Sequence, residues 1–222
     1  MNTPKPTFVR EVARIEDPQF VSGQAAGHCA RRLIDAPDAA FADPFVLMAE
    51  DWTSQGAFAF HPHRGIETVT FVIEGAIEHR DSAGFGGVIH AGGAQWMTAG
   101  RGVQHEENPP AGTTAHTLQL WVNLPAAEKM AVPRNQDLEV SALPVRSENG
   151  VEIRVFSGAY GGPDTGHWRH LADLSAIGQS TVGGAEPTPA KKLKGARLAM
   201  PSASMVETRA TGRGTIMPVI NL

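Results

Sequence analysis

Short runs of apolar residues alternate with polar residues through the first 160 positions, and glycine and proline interrupt these runs at close intervals. Apolar residues at every second position are typical of strands with one buried face, whereas helices need longer uninterrupted runs. The pattern therefore predicts a series of short strands. The predicted strands include residues 44–49, 67–74, 76–80, 87–89, 95–98, 116–123 and 151–157.

Two of the predicted strands meet near Gly75, where a tight turn or bulge costs little because glycine has no Cβ. Residues 81–87 then form a polar, glycine-rich connection that accepts the backbone angles of a turn. Successive hairpins of this kind close most naturally into a sandwich or barrel, because closure removes exposed strand edges. We predict an all-β fold.

The composition is that of a soluble globular protein. The 222 residues allow one large domain or two small ones, and 41% apolar residues are enough to build a core. A net charge of -4 gives no general reason to expect direct binding to nucleic acid or to a membrane. The single Cys29 cannot form an intramolecular disulfide, and residues 1–7 lack the pattern of a secretory signal. We expect a cytoplasmic protein.

Two pairs of residues at i, i+2 spacing carry the candidate chemistry: His61 with His63, and His105 with Glu107. Side chains on a strand alternate between its faces, so each pair is expected to point to one side of a sheet. Imidazole and carboxylate groups bind divalent first-row metals, and four such ligands on an octahedral ion leave two positions for water, substrate or oxygen. The pattern predicts a mononuclear metal site inside a β-barrel.

Five segments of the chain resemble the pirin family of the cupin superfamily, and together they span roughly residues 40 to 140. The resemblance implies a cupin-type β-barrel, that is, a double-stranded β-helix or jelly roll. It also implies that His61, His63, His105 and Glu107 are the metal ligands. The segments are DPFVLM (43–48), HPHRGIETVT (61–70), GAIEHRDS (75–82), QWMTAGRGVQHEE (95–107) and LQLWVNLP (118–125).

Two other carboxylates compete for the ligand role. In many other cupins the carboxylate follows the histidine pair by a few residues, a position that Glu67 occupies here, whereas the pirin pattern indicates Glu107. Glu106 is adjacent to Glu107 but faces the other side of a regular strand, unless a β-bulge at Val103 or Gln104 alters the alternation. We follow the pirin pattern.

The remaining histidines and the large apolar residues near these segments have simpler interpretations. His79 is interpreted as a hydrogen-bonded strand residue or a residue supporting the ligands. The large side chains of Trp96, Met97 and Trp121 are assigned to the core. Isolated histidines are more often surface or hydrogen-bonded residues than ligands, and this interpretation is given to His28, His90, His116, His167 and His170.

The pirin pattern ends near residue 160. The resemblance implies a second cupin-like domain, but the only Phe, Tyr or Trp residue in 166–222 is Trp168. Burial of so few large apolar residues provides little free energy to offset the conformational entropy that a segment loses when it becomes ordered. We therefore predict a pirin-like cupin domain with the metal site at 1–160, and at 161–222 an atypical, weakly ordered segment that is a truncated or diverged second domain.

The resemblance implies two functions of different classes. The first is an Fe(II)-dependent quercetin 2,3-dioxygenase acting on a flavonol and dioxygen, with Glu107 as a ligand and as proton acceptor from the flavonol hydroxyl. Iron is favoured by the resemblance, while the ligand chemistry alone also admits Mn, Co, Ni, Cu or Zn. The alternative is a non-catalytic, metal-dependent regulatory or redox-sensing protein with an unidentified protein partner. A third hypothesis is a partly degraded copy that only binds metal.

Overall fold

The computed structural model describes residues 17–35, 37, 42–148, 151–157, 204–210 and 217–221. The regular elements in these residues are antiparallel β-strands, together with a 3-10 turn at Val140–Ala142. Within this described part, no helix has the length and apolar character needed to cross a bilayer. The prediction of an all-β, cupin-type barrel is confirmed.

The larger of the two barrel sheets has seven strands, and its central strands are the longest. In spatial order the strands are β1 (Val21–Ser22), β2 (Cys29–Ile34), β3 (Phe45–Ser54), β10 (Thr114–Asn123), β5 (Ile66–Glu74), β8 (Ala94–Thr98) and β11 (Arg134–Leu138).

The opposite sheet has four strands, and a further four-stranded sheet follows in the chain. The strands opposite the larger sheet are, in spatial order, β4 (His61–His63), β9 (Val103–Asn108), β6 (Ala76–Asp81) and β7 (Gly86–His90). The third sheet contains β12 (Val145–Glu148), β13 (Val151–Ser157), β14 (Ser204–Ala210) and β15 (Met217–Asn221).

Each strand predicted from the sequence lies within, or within one residue of, an observed strand. The predicted turn at Gly75 is also confirmed, since this residue has a φ of 79°. A Cβ at Gly75 would clash with the carbonyl oxygen of Thr114, so glycine is required there for close approach as well as for its φ. The passage of the chain from β5 in the larger sheet to β6 in the opposite sheet therefore depends on this one residue.

The central strand β5 of the larger sheet is buried on both faces. Val72 of β5 packs with Ile77, Ile89 and Ala115 in the barrel interior. The neighbouring Phe71 points to the opposite face, where its ring meets Phe156 of β13 edge-on at 5.5 Å. Because both faces of β5 are covered, its burial pattern lacks the simple alternation seen in β3.

The third sheet includes part of the segment for which the sequence predicts weak order. β14 pairs with β13 from Val151 to Ser157, and β15 pairs with β14. The other residues of 161–222 lie outside the described part of the chain. The domain boundary at residue 160 stays a prediction.

Candidate metal centre

Strands β4 and β9 bring three histidines to one point in the barrel. His61 lies directly opposite His105, and the centroids of their rings are 4.5 Å apart. The His63 ring lies 4.9 Å from the His61 ring and 4.8 Å from the His105 ring. One nitrogen from each ring lies within 4.8 Å of the other two, so the three side chains could hold a metal ion.

The register between β9 and β6 separates the two adjacent glutamates. Glu107 pairs with His79 and is buried, whereas Glu106 pairs with Arg80 and forms an ion pair with it at 2.6 Å. The pairing of β9 with both neighbours runs without a register shift, so the alternation expected of a regular strand holds. Glu107 therefore shares the inner face with His105.

The hydrogen bonds of the histidines leave nitrogen lone pairs directed toward this point. His61 Nδ1 lies 2.8 Å from the carbonyl oxygen of Ala59; a carbonyl only accepts, so Nδ1 carries the hydrogen and Nε2 keeps its lone pair. That Nε2 lies 3.1 Å from His105 Nε2. His63 Nε2 is buried and has no hydrogen-bond partner among the described residues. Neutral imidazole nitrogens placed in this way fit a divalent metal ion.

Burial also favours the neutral, metal-binding form of two of these histidines. It is the main cause that lowers the pKa of His63 to about 4, and the neighbouring His105 and His61 lower it further. Burial likewise lowers the pKa of His105 to about 3, with smaller contributions from His61 and His79. At neutral pH both imidazoles are uncharged, so no proton competes with a metal for their lone pairs.

The metal-free protein is expected to lose stability as the pH falls below 6.5. Both histidines titrate near 6.5 in the unfolded chain, but the folded state keeps them neutral until about pH 4 and about pH 3. The unfolded state therefore binds more protons in this window, so the stabilising contribution is complete above pH 6.5 and is lost on acidification. Urea midpoints measured from about pH 8 to 4 test this. His63→Gln should show a shallower decline; a native midpoint independent of pH would contradict the expectation.

The carboxylate of Glu107 is held by two donors from the larger sheet. Thr70 Oγ1 donates to Oε1 at 2.7 Å, and Gln119 Nε2 donates to Oε2 at 2.8 Å. Trp121 Nε1 in turn donates to Gln119 Oε1 at 2.8 Å, which sets the orientation of that amide. Glu107 Oε2 lies 3.9 Å from His105 Nε2, so a fixed negative charge stands beside the three imidazoles.

Glu67, the alternative carboxylate, lies elsewhere. It is on the opposite face of β5 from Thr70 and is fully buried. Thr98 Oγ1 donates to it at 2.6 Å and Trp96 Nε1 donates at 3.1 Å. Glu67 is absent from the groups of described residues that could hold a metal ion. Its hydrogen bonds indicate a structural role.

A cavity of about 710 Å³ opens above His61 and His63. Trp121 lies in its lining and contacts the His63 ring edge-on at 5.0 Å. The assignment of Trp121 to the core was therefore wrong, whereas Trp96 and Met97 are buried as expected. The other lining side chains are Val46, Leu47, Phe58, Pro62, Ile66, Glu107 and Gln119, with Arg32, Asp35 and Arg64 also contributing.

The other described histidines have the roles interpreted from the sequence. His28 bonds to Asp51 at 2.8 Å and His116 bonds to Glu50 at 2.8 Å, both outside the metal group. His90 is exposed, and positions 167 and 170 lie outside the described residues. His79 is a hydrogen-bonded strand residue, as interpreted from the sequence, and it also forms a second group with His105 and Glu107. Spacing alone does not reveal this contact, since it depends on the pairing of β6 with β9.

The sequence of residues 33–122 matches the family model described as Pirin. Among curated proteins, a pirin-like protein of Solanum lycopersicum is 44% identical over 133 residues, which is 60% of this chain and 46% of that protein. The chain spans about half the length of the curated relatives that it matches.

Two solved structures extend the similarity. GK1651 from Geobacillus kaustophilus has a TM-score of 0.71 and 38% identity, covering 90% of this chain and 68% of that one. A quercetin 2,3-dioxygenase from Acinetobacter baumannii has a TM-score of 0.61 and 27% identity, covering 87% of this chain and 61% of that one. The fold of the barrel therefore has counterparts of known structure.

Proposed function

The chain belongs to the pirin family, and from this premise we propose that it binds one divalent metal ion and acts as a quercetin 2,3-dioxygenase-like oxidoreductase. The proposed ligands are His61, His63, His105 and Glu107. The observation that carries the proposal is that nitrogens of the three histidines lie within 4.8 Å of one another, beside the Glu107 carboxylate and a cavity large enough for a small organic substrate.

Iron(II) is the favoured ion, because the pirin resemblance implies iron and a site of three imidazoles and one carboxylate suits it. The same donors bind Mn, Co, Ni, Cu or Zn, so the identity of the ion is a matter for metal analysis. When bound, the ion supplies a Lewis acid that draws electron density from a coordinated oxygen. The tasks of binding, orientation and proton transfer belong to the protein side chains.

Glu107 is the proposed proton acceptor for a flavonol hydroxyl. Its carboxylate is anchored by Thr70 and Gln119, so its orientation is set before a substrate arrives. Glu107 lines the cavity, which gives the substrate access to it.

The apolar part of the cavity suits a flat aromatic substrate. Trp121 and Phe58 provide ring surfaces, and Leu47 and Ile66 add aliphatic surface. Such surfaces bind an aromatic body and exclude water from the reacting centre. The similarity to the quercetin 2,3-dioxygenase of Acinetobacter baumannii supports a flavonol as the substrate class.

Oxygen uptake by the iron-loaded protein is expected to depend on quercetin and to fall by more than about 100-fold in His63→Ala, since one ligand is lost. The protein is purified without oxygen, analysed for metal, and then followed with an oxygen electrode. His116→Ala is the matched control, because this histidine is also partly buried and hydrogen-bonded but lies outside the metal group.

The outcomes separate the two function classes. Quercetin-dependent uptake that His63→Ala abolishes and His116→Ala retains supports the dioxygenase. Stoichiometric metal without uptake contradicts it and favours the metal-dependent regulatory or redox-sensing alternative. Absence of bound metal after reconstitution contradicts both functions.

A further inference from the structure

A chain of hydrogen bonds lies behind His105 on the inner face of the barrel. Asn135 of β11 donates through Nδ2 to Asp81 Oδ2 at 2.7 Å and to His79 Nε2 at 3.0 Å. Asp81 Oδ1 accepts from the backbone N–H groups of Ala83 and Phe85 at 2.8 and 3.0 Å. The chain therefore connects the turn between β6 and β7 to a histidine beside the proposed metal site.

These contacts determine which nitrogen of His79 carries its hydrogen. The reverse orientation of the Asn135 amide would place its oxygen against the Asp81 carboxylate, so the nitrogen faces both partners. Because Asn135 donates to His79 Nε2, that nitrogen supplies a lone pair, and Nδ1 carries the hydrogen. The side chain of His79 is fully buried, and Nδ1 has no hydrogen-bond partner in the described part of the protein.

His105 presents a matching donor. If its Nε2 faces the metal, its Nδ1 must carry the hydrogen, and this Nδ1 is also buried without a partner among the described residues. The rings of His79 and His105 are 5.2 Å apart. Each of these buried N–H groups is unfavourable unless an acceptor outside the described residues satisfies it.

Glu107 completes a small polar site with these two histidines. One nitrogen of His79, one of His105 and one carboxylate oxygen of Glu107 all lie within 4.8 Å of one another. Some point is therefore no farther than about 2.8 Å from each of the three atoms, which is hydrogen-bond distance. A water molecule at this point would bond to all three groups, giving it three partners, as is typical of buried waters.

We propose that His79 is a positioning residue that, through one buried water molecule, fixes the orientation of His105 and Glu107 for metal binding. The proposal rests on the metal site given under Proposed function. His79 itself is not a ligand, because Asn135 occupies its lone pair and its other nitrogen carries a hydrogen. Residues that orient metal-binding histidines typically change metal affinity by about 10–100-fold when they are replaced.

The test uses cobalt(II) as the probe, because its absorption spectrum reports ligand geometry and its dissociation constant is measured by titration without turnover. His79→Phe keeps the ring shape and removes both nitrogens; His116→Phe makes the same change outside the site. We expect His79→Phe to weaken cobalt binding by about 10–100-fold and to alter the spectrum. His116→Phe is expected to stay within about twofold of the native protein.

Two further variants keep the test decisive if His79→Phe fails to fold. His79→Asn places an amide near the position of Nδ1 and is expected to recover part of the affinity and the native spectrum. Asn135→Leu leaves His79 in place but removes the donor that sets its tautomer, and should weaken binding by less than His79→Phe. Each variant is checked by urea unfolding in the metal-free state.

Native affinity and spectrum in His79→Phe, or in Asn135→Leu where His79→Phe does not fold, would overturn the proposal and leave His79 as a residue that only fills the interior. Failure of the metal site itself gives a different result. In that case the unsubstituted protein does not bind cobalt(II), and His61→Ala changes nothing.

Discussion

Replacing His105 with alanine is expected to lower metal affinity by more than about 100-fold, because loss of a supporting residue alone costs about 10–100-fold and His105 is a proposed ligand. His105 lies opposite His61, and its Nε2 lies 3.9 Å from Glu107 Oε2. Its removal therefore takes away the imidazole that lies beside both of these proposed ligands. The metal content of protein dialysed without oxygen is measured by elemental analysis.

The control for this change is His116→Ala, which is expected to retain metal at one ion per chain. His61→Ala should behave like His105→Ala, since both imidazoles face the same point. Full stoichiometric metal in either ligand variant would remove the proposed centre. Urea unfolding of the metal-free proteins distinguishes a lost ligand from a barrel that no longer folds.

Glu67→Ala is expected to lower the free energy of unfolding by about 3 kcal/mol or more without removing the metal site. The substitution takes an acceptor from Trp96 and Thr98, and each buried donor left unpaired costs about 1–3 kcal/mol. Urea unfolding of the metal-free protein measures the loss. At cobalt concentrations well above the dissociation constant, the folded variant should bind one ion.

Two matched variants make this result specific. Glu106→Ala removes an exposed ion pair and should change stability by less than about 1 kcal/mol. Glu107→Gln removes the charge beside the histidines and should weaken metal binding. The opposite pattern, in which Glu67→Ala loses metal and Glu107→Gln keeps it, would assign the ligand role to the carboxylate that follows the histidine pair.

Much of the barrel is predictable from local sequence because its signals are short-range. Apolar alternation identifies β3, and Gly75 identifies the turn between β5 and β6, where only a residue without a Cβ fits. The spacing of His61 and His63 predicts that both side chains share one face of a strand, and the structure places them together. These features need information from only a few neighbouring residues.

Other features depend on which strands pair and in what register. The i, i+2 spacing leaves Glu67 and Glu107 as competing carboxylates. The choice between them requires knowing which side of its sheet each side chain points to on β5 and β9. Trp121 was assigned to the core because a large apolar residue in a strand is usually buried there. Its position in the cavity lining depends on how β10 faces β4.

Strands β14 and β15 of the third sheet also depend on strand pairing and are not apparent from the local sequence. The low content of large apolar residues after position 160 gives no indication of strands, and residues 204–210 and 217–221 form strands β14 and β15. Backbone hydrogen bonding to β13 needs an available edge and not a rich apolar pattern, so composition alone does not reveal it. The edge exists only once β13 has been placed in the fold.

The sequence by itself determined the class of fold, the main strands and the two candidate ligand pairs, because side-chain alternation and glycine turns are local properties of the backbone. Tertiary structure decided which carboxylate joins the histidines and which residues line the cavity. It also placed His79 behind His105, through the pairing of β6 with β9. Strand pairing joins residues that are far apart in the chain, so these contacts follow from the closed barrel and not from any short segment.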